Sequence, residues 1–306
     1  MEYPENQIEF EKAFATEEQC MDYLAKLRFE NVFICPRCNC NEYWTNNRGL
    51  AVCKNCKYQL SITSGTLFHK SRVPLLLLFR VLWAIVAQKN GISASGVQRI
   101  LGLKKYSTVW TWLHKFRRLM VLPNREKLSG TIEVDETLVG GKKSGKRGRG
   151  AEGKILVIIA IEKHGNKTGR VRLSTIPDAS KASINPFIKS NIEKGSVIIT
   201  DGWKGYNDLS KMKYVREVED KKLKLDDELI LPKVHKIASL LKRWLLGTHQ
   251  NYVSQDKLDY YLDEFTFRYN RRNSKSRGSL FFSLLKQSVN HESITYKDIA
   301  NTSKIN

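Results

Sequence analysis

The sequence predicts an α/β core preceded by a small cysteine-bearing module and a helical segment, and three observations carry this. From Thr131 onward, β-branched runs alternate with helical stretches. From Pro74 to Leu122 the residues are apolar at helical spacing, and between Cys35 and Cys56 they are short, polar and turn-rich. A chain of 306 residues has room for two or three compact units, so one large core with small appended modules is expected.

The first element is a helix over Thr16 to Glu30, with apolar spacing at Cys20, Tyr23, Leu24 and Leu27 and a capping box formed by Thr16 and Gln19. The pairs Cys35-Pro36-Arg37-Cys38 and Cys53-Lys54-Asn55-Cys56 follow, fourteen residues apart. Each pair makes a tight turn that aims two thiolates at one ion, and hairpin strands at Glu42 to Thr45 and Gly49 to Val52 return the chain to complete a tetrahedron. Cys35, Cys38, Cys53 and Cys56 are therefore assigned to one structural zinc ion, with Arg37 and Lys54 placed to favour the thiolates. Cys40 is a spare, Cys20 belongs to a helix core, and a pair of redox dithiols fits the spacing less well. A closed four-cysteine site organises the fold, so catalysis has to come from elsewhere.

An apolar helix runs from Pro74 to about Gln88, and Gly91-Ile92-Ser93 breaks it. Ser93 caps a second helix to Leu101, Gly102 supplies the turn, and a third helix opens at Ser107 or Thr108 and reaches Met120. Two short helices joined through a glycine match a helix-turn-helix, with Lys104, Lys105, Lys115, Arg117 and Arg118 on phosphates and Thr108 and Thr111 as base readers. Trp83, Trp110 and Trp112 are read as packing.

Ile132 to Val134, Ile155 to Ile161, Val171 to Thr175 and Val197 to Thr200 read as strands of a largely buried sheet, with a helix over Ala182 to Ile192. The resulting boundaries are an N-terminal helix at 1–30, a zinc ribbon at 31–62, a helix-turn-helix-like DNA-binding segment at 63–128, the α/β catalytic domain at 129–285 and a C-terminal tail at 286–306.

Charge points to the partner. With 52 Lys+Arg against 31 Asp+Glu, the chain carries +21, spread from Lys104 to Arg277. Such a field favours a polyanion over a merely solvated surface, and nucleic acid is the expected ligand. The longest apolar run, Leu75 to Val86, is interrupted by Arg80 and is too short for a membrane span. Met1-Glu2-Tyr3-Pro4-Glu5 lacks the features of a signal peptide, so a cytoplasmic protein with no membrane partner is expected. Reduced thiols in that compartment agree with metal rather than disulfides.

Alternation along Thr131-Ile132-Glu133-Val134-Asp135-Glu136-Thr137 places Glu133 and Asp135 on one strand face, and a second strand, Ser196 to Thr200, ends in Asp201 before turning at Gly202. Carboxylates at the ends of neighbouring buried strands are unfavourable unless something binds them, and divalent ions that activate water on phosphorus would do so.

These motifs, taken in order, resemble one family. The C-P-R-C and C-K-N-C pairs, I-E-V-D-E-T-x-V-G-G-K, I-I-T-D-G-W-x-G-Y, V-H-K-I-A-S-L-L-K-R-W-L-L-G-T-H and Y-L-D-E-F-T-F-R-Y-N-R-R look like the zinc-ribbon DDE transposases of bacterial insertion sequences, over about residues 16 to 285. The resemblance implies a ribonuclease-H-like catalytic core that cuts transposon ends and joins the freed 3′-hydroxyls to target DNA. It implies Asp135 and Asp201 as ligands of Mg2+ or Mn2+, double-stranded DNA at transposon ends and target as partner, and a homodimer or higher homo-oligomer.

The third ligand stays open, because the stretch from His235 to Lys242 contains no carboxylate. His235 stands 34 positions after Asp201 and seven before Lys242, on one helical face with it. Glu264 on a later amphipathic helix and the run Asp226-Asp227-Glu228 are the alternatives. Lys242 is assigned to a phosphate, and Lys142, Lys143, Lys146, Arg147 and Arg149 to a phosphate-gripping loop. Trp203 and Tyr206 either stack on bases or pack. Glu133 and Glu136 are auxiliary ligands or salt-bridge partners. Arg268, Arg271 and Arg272 are placed along DNA. The rival readings are a tyrosine recombinase, which leaves the strand-end aspartates unexplained, and a DNA-binding protein with a decayed transposase core.

Overall fold

The computed structural model describes residues 3–29, 33–46, 48–122, 124–140, 154–219, 230–251 and 253–300. The chain forms two compact units, one from Met1–Leu119 with Ser274–Thr302, the other built on Met120–Asn273. No helix among the described residues is long and apolar enough to cross a membrane.

In the first unit, α1 (Gln7–Ala13) and α2 (Glu17–Arg28) replace the single N-terminal helix expected. The capping box at Thr16 and Gln19 is present, and it starts α2. The ribbon follows as an antiparallel sheet of β1 (Tyr43–Thr45), β2 (Leu50–Cys53) and β3 (Gln59–Ser61). Then come α3 (Leu75–Ala87), α4 (Ala94–Leu101) and α5 (Tyr106–Leu119). The Glu17 carboxylate accepts from the amides of Leu75 (2.7 Å) and Leu76 (2.8 Å), so an acidic residue of α2 satisfies the otherwise unpaired N-terminus of α3.

The C-terminal segment is not a tail. The boundary expected at 285 falls inside α9 (Arg277–Asn290), and α10 (Tyr296–Ala300) follows. Phe281 of α9 is fully buried, with its ring 5.5 Å from Phe10, 5.6 Å from Phe14, 5.7 Å from Phe79 and 5.8 Å from Trp83. An aromatic core closed by the last helix stabilises this unit, since each such ring buries a large apolar area.

The second unit is a five-stranded sheet in the order β6-β5-β4-β7-β8. Its strands are β4 (Thr131–Val139), β5 (Ile155–His164), β6 (Lys167–Ile176), β7 (Val197–Thr200) and β8 (Val215–Val218). β4, β5 and β6 form an antiparallel meander, whereas β7 pairs parallel with β4 and β8 parallel with β7. Helices α6 (Lys181–Asn191), α7 (Pro232–His249) and α8 (Leu258–Asn270) complete it. Alternate residues feed two cores. Ile132, Val134, Ile158 and Ile198 pack with Ile184 and Ile188 of α6, and Ile159, Ile161, Val171 and Ile199 pack with Val234, Ile237 and Leu241 of α7 and Phe265 of α8. This is the ribonuclease-H-like core that the motifs implied. β8 was not foreseen, because its Val-Arg-Glu-Val is a short edge strand that is largely exposed and has no apolar run.

Candidate active site

The two cysteine pairs fold as repeats of one turn. In the first, Asn39 takes a left-handed conformation (φ 56°), its amide donates to Cys35 O (2.9 Å), and the Cys35 amide donates to Cys40 O (2.9 Å). In the second, Lys57 does the same (φ 60°), with Lys57 N to Cys53 O at 3.1 Å and Cys53 N to Tyr58 O at 2.9 Å. The four sulfurs lie within 4.8 Å of one another, with Cys35 and Cys56 at 3.6 Å and Cys38 and Cys53 at 3.5 Å. Bonds of about 2.3 Å in a tetrahedron separate sulfurs by roughly 3.8 Å, so the cluster fits zinc.

Cys53 shows why. Burial pushes its thiol up, but the amides of Cys56 and Asn55 outweigh this and hold it at about 6. The Tyr58 amide pulls Cys56 down, yet burial and the three neighbouring sulfurs push it up to about 12. Four thiolates therefore need a cation among them. Turn amides, rather than the flanking cations, favour the charged form: Lys54 is paired with Glu42 at 3.0 Å, both exposed. Cys40 turns its sulfur toward Glu42.

In the α/β unit, Glu133 stands opposite Ile199 in the parallel pairing of β4 with β7. Asp135 follows two residues later in β4, opposite Ile159 on the sheet face that α7 covers, and Asp201 comes directly after Thr200, the last residue of the neighbouring β7. Both aspartates are half-buried. The Glu136 amide donates to Asp135 Oδ1 (2.8 Å), and the Trp203 amide donates to Asp201 Oδ1 (3.0 Å). Tyr206, fully buried, donates its hydroxyl to Glu136 Oε1 at 2.5 Å. Its ionisation is opposed first by burial and then by Glu136, with Asp135 and Asp201 adding.

Two family models match the chain, an ISXO2-like transposase domain over residues 127–270 and a transposase zinc-ribbon domain over residues 15–59, together more than half of its length. It belongs to the zinc-ribbon DDE transposases of insertion sequences. No curated protein matches the transposase at a significant level.

The transposase uses Glu133 structurally. This carboxylate is fully buried; its Oε2 accepts from the amides of Lys233 (2.8 Å) and Val234 (3.1 Å) and so caps α7, while its Oε1 lies 4.0 Å from Lys163 Nζ. It also fixes the track of α7: the first turn meets Glu133, and Leu245 lines a small cavity with Val139 at the other end of β4. His235 and Lys242 of α7 are both exposed. The side chains do not converge further. Among the described residues, only the four ribbon cysteines form a group of three or more His, Cys, Asp or Glu close enough to hold an ion.

We expect Glu133→Ala to destabilise the α/β unit by about 1–3 kcal/mol, since two buried amides lose their acceptor. Glu133→Gln, which keeps an acceptor oxygen, should retain most of that. Urea denaturation of the two variants checks the ranking, and equal losses would refute the cap.

Other assignments change with burial. Glu264 is fully buried and paired with Arg268 at 2.8 Å, and so it is committed elsewhere. Arg271, half-buried, lies over the Phe267 ring at 4.2 Å, and Arg272, exposed, lies over Tyr269 at 4.2 Å. Tyr206 packs, and Trp203 donates its ring N–H to Ala179 O at 2.8 Å.

In the helical segment, Ser93 caps α4 and Gly102 ends it in a left-handed turn (φ 60°), as read from the sequence. However, Arg117 is fully buried on His114 Nδ1 (3.1 Å), Lys115 stacks over Trp112 at 4.2 Å, and buried Thr111 donates its hydroxyl to Ser107 O at 2.6 Å. Lys104, Lys105 and Arg118 are the exposed cations left for phosphates. The loop cations from Lys142 to Arg149 and the run Asp226 to Glu228 lie outside the described residues. One residue was missed: Lys154, beside the start of β5, whose charge acts on Lys242. Its signal was its place at the end of the basic glycine-rich loop.

Proposed function

We propose that the chain cuts transposon ends and joins them to target DNA by in-line phosphoryl transfer in a two-metal site, with Asp135 and Asp201 holding Mg2+ or Mn2+ and His235 completing the ligand set. The observation that carries this is the pair of half-buried aspartates on neighbouring parallel strands, Asp135 within β4 and Asp201 directly after β7. Like charges brought to neighbouring strands favour a cation between them. When bound, divalent ions supply activation of the attacking oxygen and neutralise charge on the leaving one.

The protein's own groups do the rest. Tyr206 anchors Glu136 and with it the end of β4 next to Asp135. The amides of Glu136 and Trp203 orient the two aspartates. Burial, and then the nearby Lys154, make the Lys242 ammonium harder to keep charged. A phosphodiester placed between these lysines relieves that repulsion, which assigns them to positioning DNA. Both transposon ends must be held at once, so the active species is a dimer or larger homo-oligomer.

Imidazole suits Mn2+ better than Mg2+. Accordingly, His235→Ala should abolish cleavage of DNA carrying the element's ends, His235→Glu should keep it and shift the preference toward Mg2+, and Glu264→Ala should act on stability rather than on metal preference. Cleavage assays of the three variants in each ion test this. Full activity of His235→Ala would remove His235 from the site. Absence of all cleavage in the parent, with DNA binding intact, would favour the decayed-core reading.

A further inference from the structure

A cavity of about 290 Å3 opens at the β6 edge of the α/β unit, and four arginines line it: Arg125, Arg170, Arg172 and Arg271. Arg170 is neutralised, by Glu162 at 2.7 Å and by Glu126 at 2.9 Å. The other three have no carboxylate partner among the described residues. Arg125 donates to Asn191 Oδ1 (3.1 Å), and Arg271 lies flat over Phe267. Arg172 is only 4% exposed, spends its two terminal nitrogens on Val171 O (3.0 Å) and Glu126 O (2.7 Å), and leaves Nε buried with no partner.

A buried guanidinium without an ion-pair partner is costly, and the partly buried Arg125 and Arg271 beside Arg172 add like charge around the same cavity. Burial, and then Arg125 and Arg170, with Arg271 adding, depress Arg172 to about 10 against the opposing pull of Glu162, and burial alone brings Arg125 to about 10. The group that restores balance is an anion. Arginine's planar fork favours phosphate or carboxylate oxygens, and the cavity has room for such a group.

We propose that Arg125, Arg172 and Arg271 form a phosphate-binding site, separate from the metal site. Arg172 pairs across the sheet with Ala160, which belongs to the core on the face opposite Asp135. The site thus holds a phosphate remote from the scissile one, either a backbone phosphodiester of bound DNA or a free phosphate ion. It does not depend on the reading of Asp135, Asp201 and His235.

The test uses full-length protein in two arms. In the first, inorganic phosphate is titrated against chloride of equal ionic strength and the thermal midpoint is followed. The parent should show a saturable rise, weakened roughly tenfold or more in apparent affinity in the Arg125→Gln/Arg271→Gln variant, because each removed charge-assisted hydrogen bond is worth about a factor of ten. In the second arm, duplex binding is measured over a range of salt. Loss of one backbone phosphate contact lowers the slope of log K against log salt by about one.

A lost phosphate response with an unchanged slope identifies a free ion as the ligand, and a lowered slope identifies the DNA backbone. Either result supports the site, whereas neither change in a folded variant overturns it. Should the double variant not fold, Thr266→Asp, on the same wall, places a carboxylate in the cavity. That variant should melt higher than the parent without phosphate and lose the phosphate response, and an unaltered response would equally overturn the proposal.

Discussion

Asp135→Asn and Asp201→Asn are each expected to lower strand cleavage and joining by roughly three orders of magnitude, because removing one group that stabilises charge at a reacting centre typically costs about 10²–10³-fold. The fold and DNA affinity should survive. Asp135 in the middle of β4 and Asp201 just past the end of β7 are half-buried, and their neighbours Ile132, Val134, Ile198 and Ile199 supply the packing. The sign of the stability effect is diagnostic. Two carboxylates on adjacent strands repel, so either variant should melt at or above the parent temperature without divalent ions. Adding Mn2+ should then raise the melting temperature of the parent and not that of the variants. Paired cleavage assays and thermal melts with and without Mn2+ check both points, and a variant within tenfold of parental activity would place the chemistry elsewhere.

Cys35→Ser, Cys38→Ser, Cys53→Ser or Cys56→Ser should each abolish zinc binding and unfold the ribbon. Structural zinc supplies an apparent ~10–16 kcal/mol at neutral pH. The core of the ribbon itself is small, with Phe33, Cys35, Ala51 and Cys53 as its buried members, and such a core contributes far less. Cys40→Ser and Cys20→Ser should keep the metal, since Cys40 faces Glu42 and Cys20 is fully buried in α2, its thiol pushed up to about 12 chiefly by burial. Cysteines bind zinc as thiolates, so binding releases thiol protons and zinc affinity should fall as pH falls. Metal analysis gives the stoichiometry, and hydrogen exchange over residues 33–61 reports the local unfolding. Zinc retained by a ligand variant, or lost from Cys40→Ser, would contradict the assignment.

Local chemistry was legible from the residues. The C-x-x-C spacing names its four ligands because the turn is made within five residues, and the structure repeats that turn twice. Thr16 with Gln19, and Ser93 with Gly102, announced helix ends because capping is satisfied by neighbours in sequence. Strict alternation put Glu133 and Asp135 on one face, and the run to Thr200 ended a buried strand at Asp201.

What the sequence could not determine is set by contacts between distant residues. Whether Glu133 holds a metal or a helix depends on where the amides of Lys233 and Val234 arrive, a hundred residues later. Arg117 and Arg271 read as DNA contacts and Glu264 as an alternative third ligand from the sequence, and only packing shows Arg117 and Glu264 buried and Arg271 stacked on Phe267. Residues 286–290 looked like the start of a tail because nothing in a short amphipathic stretch says what it will cover, yet α9 runs through them and carries Phe281 in the middle of the first unit's aromatic core. The unpaired arginines around Arg172 have no sequence signature at all, because a buried charge is recognised by the partner it lacks, and that is decided by tertiary structure alone.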